Sequence, residues 1–177
     1  MTTKDELRRQ VRQAKKAISF EEKVLRSAPI MAKLEGLDVF RNAKTVLLYW
    51  SMADEVHTHP TVRRYCDKKT ILLPCVDGDN LLLRQYTGPE CMHAGEQFGI
   101  DEPTGPVFTA LDDIDIIVVP GVAFDSKGNR MGRGRGFYDR LLATVHAYKI
   151  GVAFNFQLFD SIPLDPHDIP MDLVISE

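Results

Sequence analysis

Two kinds of apolar patterning alternate along the chain: stripes that recur every three or four positions, and short unbroken runs. Leu7, Val11, Ala14 and Ile18 recur at steps of four, three and four, which predicts a helix over 4–18. Its other face is basic, with Lys4, Arg8, Arg9, Arg12, Lys15 and Lys16. Ser19-Phe20-Glu21-Glu22 has the form of a capping box and opens a second predicted helix bearing Val24, Leu25, Ala28, Met31 and Leu34. Pro29 is expected to kink that helix or cost it a turn, because it lacks an amide donor and crowds the preceding turn.

The unbroken runs read as strands buried on both faces. They are Thr45 to Trp50, Ile71 to Cys75, Ile114 to Val119 and Tyr148 to Phe154, with a short last one at Leu173 to Ile175. Leu81 to Tyr86 is expected to pair with Ile71 to Cys75 across the turn Asp77-Gly78-Asp79-Asn80. Helices are predicted over 61–67 and 137–147, and residues 87–110, with four glycines and three prolines, read as loop. Strands alternating with helices imply an α/β domain with a mostly parallel central sheet covered on both faces. Ligands bind such sheets beyond the carboxyl ends of the strands. Three polar features lie there: the Glu55 segment, a Gly/Arg loop after Val119, and Asn155-Phe156-Gln157.

Composition narrows the class. A length of 177 residues suits a single domain with its own core. The net charge of -3 disfavours a general nucleic-acid binder, which is usually basic. No apolar run reaches bilayer length, and the charged start Thr2-Thr3-Lys4-Asp5-Glu6 lacks the apolar core of a secretion signal. Cys66, Cys75 and Cys91 are odd in number and widely spaced, which points to a reducing compartment. A cytoplasmic monomer, bound neither to nucleic acid nor to membrane, is the expectation.

The segment from Val119 to Arg140 carries the chemistry. Alternating glycines and arginines, Gly132-Arg133-Gly134-Arg135-Gly136, lead into Phe137-Tyr138-Asp139. Glycines let backbone amides approach a phosphate, arginines add forked donors, and the Asp139 carboxylate can hold a magnesium ion that travels with phosphates. There is no G-x-x-x-x-G-K-[ST], so this is not a P-loop, and the G-x-G-x-G spacing misses the dinucleotide fingerprint by one residue.

Taken together, the motifs resemble the 5-formyltetrahydrofolate cyclo-ligase family, also called methenyltetrahydrofolate synthetases. The loop fits P-G-V-A-F-D-x-x-G-x-R-x-G-x-G-x-G-[FY]-Y-D-R, Ser51 to Thr58 fits S-M-x-x-E-x-x-T, Lys4-x-x-Leu7-Arg8 fits the first helix, and Pro163 to Asp172 fits the ending P-x-x-x-x-D-x-x-x-D. The resemblance implies a three-layer, Rossmann-like α/β/α sandwich over 1–177. It implies ATP- and Mg2+-dependent conversion of 5-formyltetrahydrofolate to 5,10-methenyltetrahydrofolate, with release of ADP and phosphate through an iminium phosphate. Carried over residue by residue, Lys4, Arg8, Arg130, Gly132, Arg133, Gly134, Arg135 and Gly136, with Phe137 and Tyr138, would hold the nucleotide. Trp50, Met52, Glu55, Phe137 and Tyr138 would contact the pterin or its formyl group. Asp139 and Asp172 would hold the metal, and Arg135, Tyr138 and Asp139 would carry the chemistry. Family members often have a smaller apolar residue at the Trp50 position and tyrosine at the Phe137 position.

Plainer readings stand beside these. The Gly/Arg loop could be a solvated turn or an RNA-binding RG segment, Glu55 a surface carboxylate, and the Lys4/Arg8 face merely solvated. His57-x-His59 resembles a metal pair but lacks a third ligand nearby in sequence, and Pro60 explains it as a helix entry. A folate- or nucleotide-binding module without turnover is the alternative function.

Overall fold

The computed structural model describes residues 2–95 and 99–177. The chain opens with α1 (Lys4–Lys16), where Thr3 and Glu6 cap each other, and α2 (Phe20–Gly36), where the Ser19 hydroxyl accepts from the Glu22 amide. Pro29 does not end α2; Leu25, left without that amide donor, is on the exposed face, where water can satisfy its carbonyl. Next come α3 (Asp38–Asn42), β1 (Thr45–Leu47), α4 (His59–Tyr65), and the antiparallel pair β2 (Thr70–Asp77) and β3 (Asn80–Gln85). A small hairpin, β4 (Met92–Ala94) with β5 (Asp101–Pro103), follows. Then come β6 (Ile116–Val119), β7 (Ala123–Asp125), β8 (Arg130–Met131), α5 (Phe137–Leu142), β9 (Tyr148–Val152), β10 (Leu158–Phe159) and β11 (Leu173–Ile175).

The main sheet has the order β11-β9-β6-β1-β2-β3 and is parallel except for β3. Its strands are apolar on both faces because both faces are covered. Val46, Leu48, Ile71, Leu73, Ile116 and Val118 pack with Ile30, Met31, Leu34, Phe40 and Val62 of α2, α3 and α4. The intervening residues Leu47, Leu72, Ile117 and Val119 pack with Leu141, Leu142 and Val145 on the other side. These are the three layers expected. A second sheet, β10-β7-β8, receives α1 through Leu7, Ala123, Met131 and Ile162.

Several boundaries differ from the sequence expectation, each for a local reason. The β1 ladder ends at Leu47, although the Leu48 amide still reaches the Leu72 carbonyl, and Tyr49-Trp50 leave the sheet. Pro60 falls in the first turn of α4, so that helix starts at His59 rather than Thr61. α5 stops at Leu142, where the Thr144 hydroxyl bonds the Leu141 carbonyl and competes with the helical amides. Residues 87–110 are not all loop: β4 and β5 pair, and the Glu102 carboxylate fastens them to the Val76 amide at 3.0 Å. The part of that expectation on 96–98 lies outside the described residues.

Gly128 ties the site loop to the tail. Its φ is +82°, and a Cβ there would meet the Met171 carbonyl oxygen at 2.6 Å, a backbone atom with little room to move. Gly128→Ala is expected to lower the unfolding free energy by about 2 kcal/mol or more, from left-handed strain plus the clash. Urea unfolding read by circular dichroism would measure it.

Candidate active site

β1 lies between β6 and β2, so the chain leaves β1 and β6 in different directions, and a crevice opens beyond their carboxyl ends. There a cavity of about 650 Å3 is lined by residues from both exits. Tyr49, Trp50, Met52 and Glu55 come from the first, and Pro120, Gly121, Arg130 and the 132–139 loop from the second. Lys4 and Arg8 reach it from α1, and Val76, Leu81, Ile100, Asp101 and Glu102 form the opposite wall. Every site residue named from the sequence lines this cavity except Asp172.

Asp172 is engaged elsewhere, at the start of β11. It accepts from the Lys149 amide at 2.8 Å, and its own amide donates to the Lys149 carbonyl. A metal role for Asp172 does not agree with that placement. The acids that do reach the cavity from the same ending are Asp165 and Asp168. Among the described residues, Asp165, His167 and Asp168 bring their ligand atoms within 4.8 Å of one another, an oxygen-rich set suited to a hard cation. Lys4 sits against them, its Nζ 2.6 Å from Asp165 and 3.3 Å from Asp168. Burial works against the Lys4 ammonium, but these two bonds outweigh it and hold its pKa above the ordinary value.

The Gly/Arg loop is shaped by close approaches. A Cβ at Gly132 would lie 2.9 Å from the Arg130 guanidinium, and Gly136 takes φ +72° as it turns the chain into α5. Arg8 braces the loop by donating from Nε to the Gly132 carbonyl at 3.2 Å. Arg135 places its guanidinium over the Phe137 ring at 5.4 Å. Arg130 differs from the other loop arginines: its side chain is 4% exposed. It donates to the Pro120 carbonyl at 3.0 Å and to Asp139 at 3.4 Å, and it lies over the Tyr138 ring. It therefore aims Asp139 and Tyr138 more than it presents a free fork to a ligand. Burial also pushes the Tyr138 hydroxyl well above its ordinary pKa, so it stays a protonated donor.

The other end of the cavity holds Glu55. One carboxylate oxygen accepts from the Met52 amide at 2.8 Å, and the other lies 4.0 Å from Arg133, which also bonds Asp54 at 3.1 and 3.3 Å. Burial raises the Glu55 pKa, while the Met52 amide, Arg133 and Lys15 oppose the rise. Gln157, from the third feature beyond a strand end, does not line the cavity. Buried at 2% exposure, it donates to the Gly121 and Val122 carbonyls and holds the start of the loop.

A glycine–arginine loop, an acidic set and a largely buried carboxylate thus share one cavity, and known proteins resemble the sequence along its whole length. The model of the 5-formyltetrahydrofolate cyclo-ligase family matches residues 1–177. The chain belongs to that family. It is 29% identical to the mouse (Mus musculus) 5-formyltetrahydrofolate cyclo-ligase over 186 aligned positions, covering 97% of this chain and 92% of that one. The NMR structure of the Aquifex aeolicus 5,10-methenyltetrahydrofolate synthetase superposes with a TM-score of 0.88 at 39% identity, over 98% of this chain and 89% of that one. The Mycoplasma pneumoniae 5,10-methenyltetrahydrofolate synthetase gives 0.78 at 26% identity, over 98% of each chain.

Three features in or beside the cavity lie outside the sequence reading. Asp54 stands beside Glu55 with no motif of its own, the β5 wall falls in the expected loop, and Lys15, expected on the solvated face of α1, is buried with Leu7 and Val11. The step of four from Leu7 through Val11 to Lys15 was the available signal.

His57-x-His59 also has a definite place. The His59 ring stacks on Trp50 with centroids 3.6 Å apart, and its Nε2–H donates to the Ser51 carbonyl at 2.9 Å. Burial lowers the His59 pKa from 6.5 to about 4, so the ring is neutral near pH 7. The unfolded chain binds the proton more readily, so this group withdraws stability as pH falls from 6.5 to about 4. In melts across that window, His59→Phe is expected to lose melting temperature less steeply than the wild type, even if it starts lower.

Proposed function

We propose that the cavity carries out the family's reaction with the nucleotide at the loop end and the folate at the Glu55 end. The family implies ATP dependence. The observation that carries the arrangement is the single cavity running from the Gly/Arg loop to Glu55. The amides of Gly132, Gly134 and Gly136, with Arg133 and Arg135, would surround the phosphates, and Lys4 and Arg8 would meet them from α1. Asp139 and Asp168 would hold Mg2+, which when bound neutralises phosphate charge. Glu55 would accept N–H bonds from the pterin, with Met52, Trp50 and Phe137 as walls. Residues 1–177 would act as one domain, a monomer in a reducing cytoplasm.

The formyl oxygen of the substrate would attack the γ-phosphate, forming an iminium phosphate and releasing ADP. N10 of the folate would then close the ring, and phosphate would leave. Little covalent work falls to the protein in such a transfer; positioning and charge stabilisation do most of it. Arg130 keeps Asp139 aimed, and the protonated Tyr138 hydroxyl can donate to developing negative charge. A binding module without turnover would have no use for both the acid set and the arginine loop.

The direct test mixes protein, 5-formyltetrahydrofolate, ATP and Mg2+ and follows the near-ultraviolet absorbance of the methenyl product. A rise that needs all components supports the reading; folate binding without ATP consumption overturns it. Arg135→Ala and Asp139→Ala are each expected to cut turnover by about a hundredfold or more, the scale of losing a charge-stabilising contact. An active variant removes that residue from the assignment.

Glu55 adds a pH dependence. Its ionised form is the acceptor, and its pKa is raised above the ordinary 4.5. kcat/KM for the folate is therefore expected to fall on the acid side through a midpoint above that value. Glu55→Gln should give a low profile without this limb, and an unchanged limb would assign the titration to another group.

A further inference from the structure

Lys15 is the misfit of α1. The stripe Leu7, Val11, Lys15 faces the protein, and Lys15 is 7% exposed. An ammonium taken this far from water costs several kcal/mol unless it is paired. Its counter-charge is Asp54, 3.8 Å from Nζ. Burial lowers the Lys15 pKa, and Asp54, then Glu55, oppose the shift.

Two acids, Asp54 and Glu55, thus sit between two cations of unequal standing. The Arg133 side chain is 50% exposed and rides on the glycine loop, so it can turn toward a phosphate. Lys15 is fixed on a helix packed against the second sheet. It lies outside every motif that marks the family in this sequence, and the apolar stripe alone would accept leucine there.

We infer that Lys15 is a positioning residue of the folate subsite: the permanent counter-charge that keeps Asp54 and Glu55 in place when Arg133 turns to the nucleotide. The inference rests on Glu55 as the pterin contact and Arg133 as a phosphate contact. Without Lys15, Arg133 becomes the main cation for both carboxylates, and Glu55 loses its aim once Arg133 departs.

The test is steady-state kinetics in both substrates, with thermal melts, for Lys15→Met, Lys15→Arg and Glu55→Gln. Lys15→Met keeps the stem and is expected to raise KM for 5-formyltetrahydrofolate about tenfold while kcat stays within about threefold. Lys15→Arg should restore most of the loss. Should Lys15→Met fail to fold, Lys15→Gln carries the same expectation. An unchanged folate KM overturns the inference. So does a joint fall of kcat, both affinities and melting temperature that arginine does not rescue, because that pattern marks a merely structural lysine. Glu55→Gln separates the two levels. If it leaves folate KM unchanged, the pterin contact itself is wrong; if it raises KM while Lys15→Met does not, only the role of Lys15 falls.

Discussion

The parallel pairing of β1 with β6 is the constraint on which the rest depends. Val46 and Leu47 pair with Ile116 and Ile117, so both strands run the same way and release their chains at the same edge. One exit delivers Tyr49 to Glu55, and the other delivers Pro120 and the glycine loop. Neither segment could form a cavity alone. The apolar filling of both sheet faces holds the two exits in register, and side-chain packing at that density leaves little freedom to drift. A carboxylate and a row of arginines encoded about 80 positions apart thereby come within ion-pair distance, Asp54 to Arg133.

The charges in this cavity are arranged in partner sets rather than left bare. Lys4 rests on Asp165 and Asp168, Arg8 on Asp5 and the Gly132 carbonyl, Arg133 on Asp54, and Arg130 on Asp139. An anionic ligand must therefore compete with internal acids, and a cation must compete with Lys4. Such exchange keeps cations ordered near the positions a ligand needs and avoids the cost of unpaired charge in a partly desolvated space. Arg130 is the exception that does not exchange. With 4% of its side chain exposed, it works as a fixed bracket between the Pro120 carbonyl and the acid at the head of α5.

What the sequence disclosed, and what it did not, follows from the range of the forces involved. The main strands were legible because six or so consecutive apolar residues have few other uses, and the glycine–arginine loop because its composition is costly anywhere else. The ends of elements were less legible: the Thr144 hydroxyl that stops α5 and the departure of Tyr49-Trp50 from β1 are single contacts. The β4–β5 pair lacks any alternation and is held by contacts beyond it: the Glu102 carboxylate accepts from the Val76 amide of β2, and the Thr104 hydroxyl after β5 donates to the Cys91 carbonyl before β4. Asp168 and Asp172 stand four apart in one ending, and nothing local separates them; only the strand start at Leu173 commits Asp172 to Lys149. The burial of Lys15 is not legible locally, because a basic residue belongs in water unless an acid from another segment, here Asp54, meets it.

The contact of Lys4 with Asp165 and Asp168 joins residues more than 160 positions apart. During synthesis α1 emerges well before Asp165 and Asp168, so the Lys4 ammonium cannot meet these acids until they follow. The sheet can collapse before then, since β1, β2 and β6 are already present, but the cavity lacks part of its wall. A nascent or truncated chain can thus be largely folded and still have no finished site. Closing the pocket therefore requires a contact of high sequence separation, whereas the pairing of β1 with β2 and β6 does not wait for it.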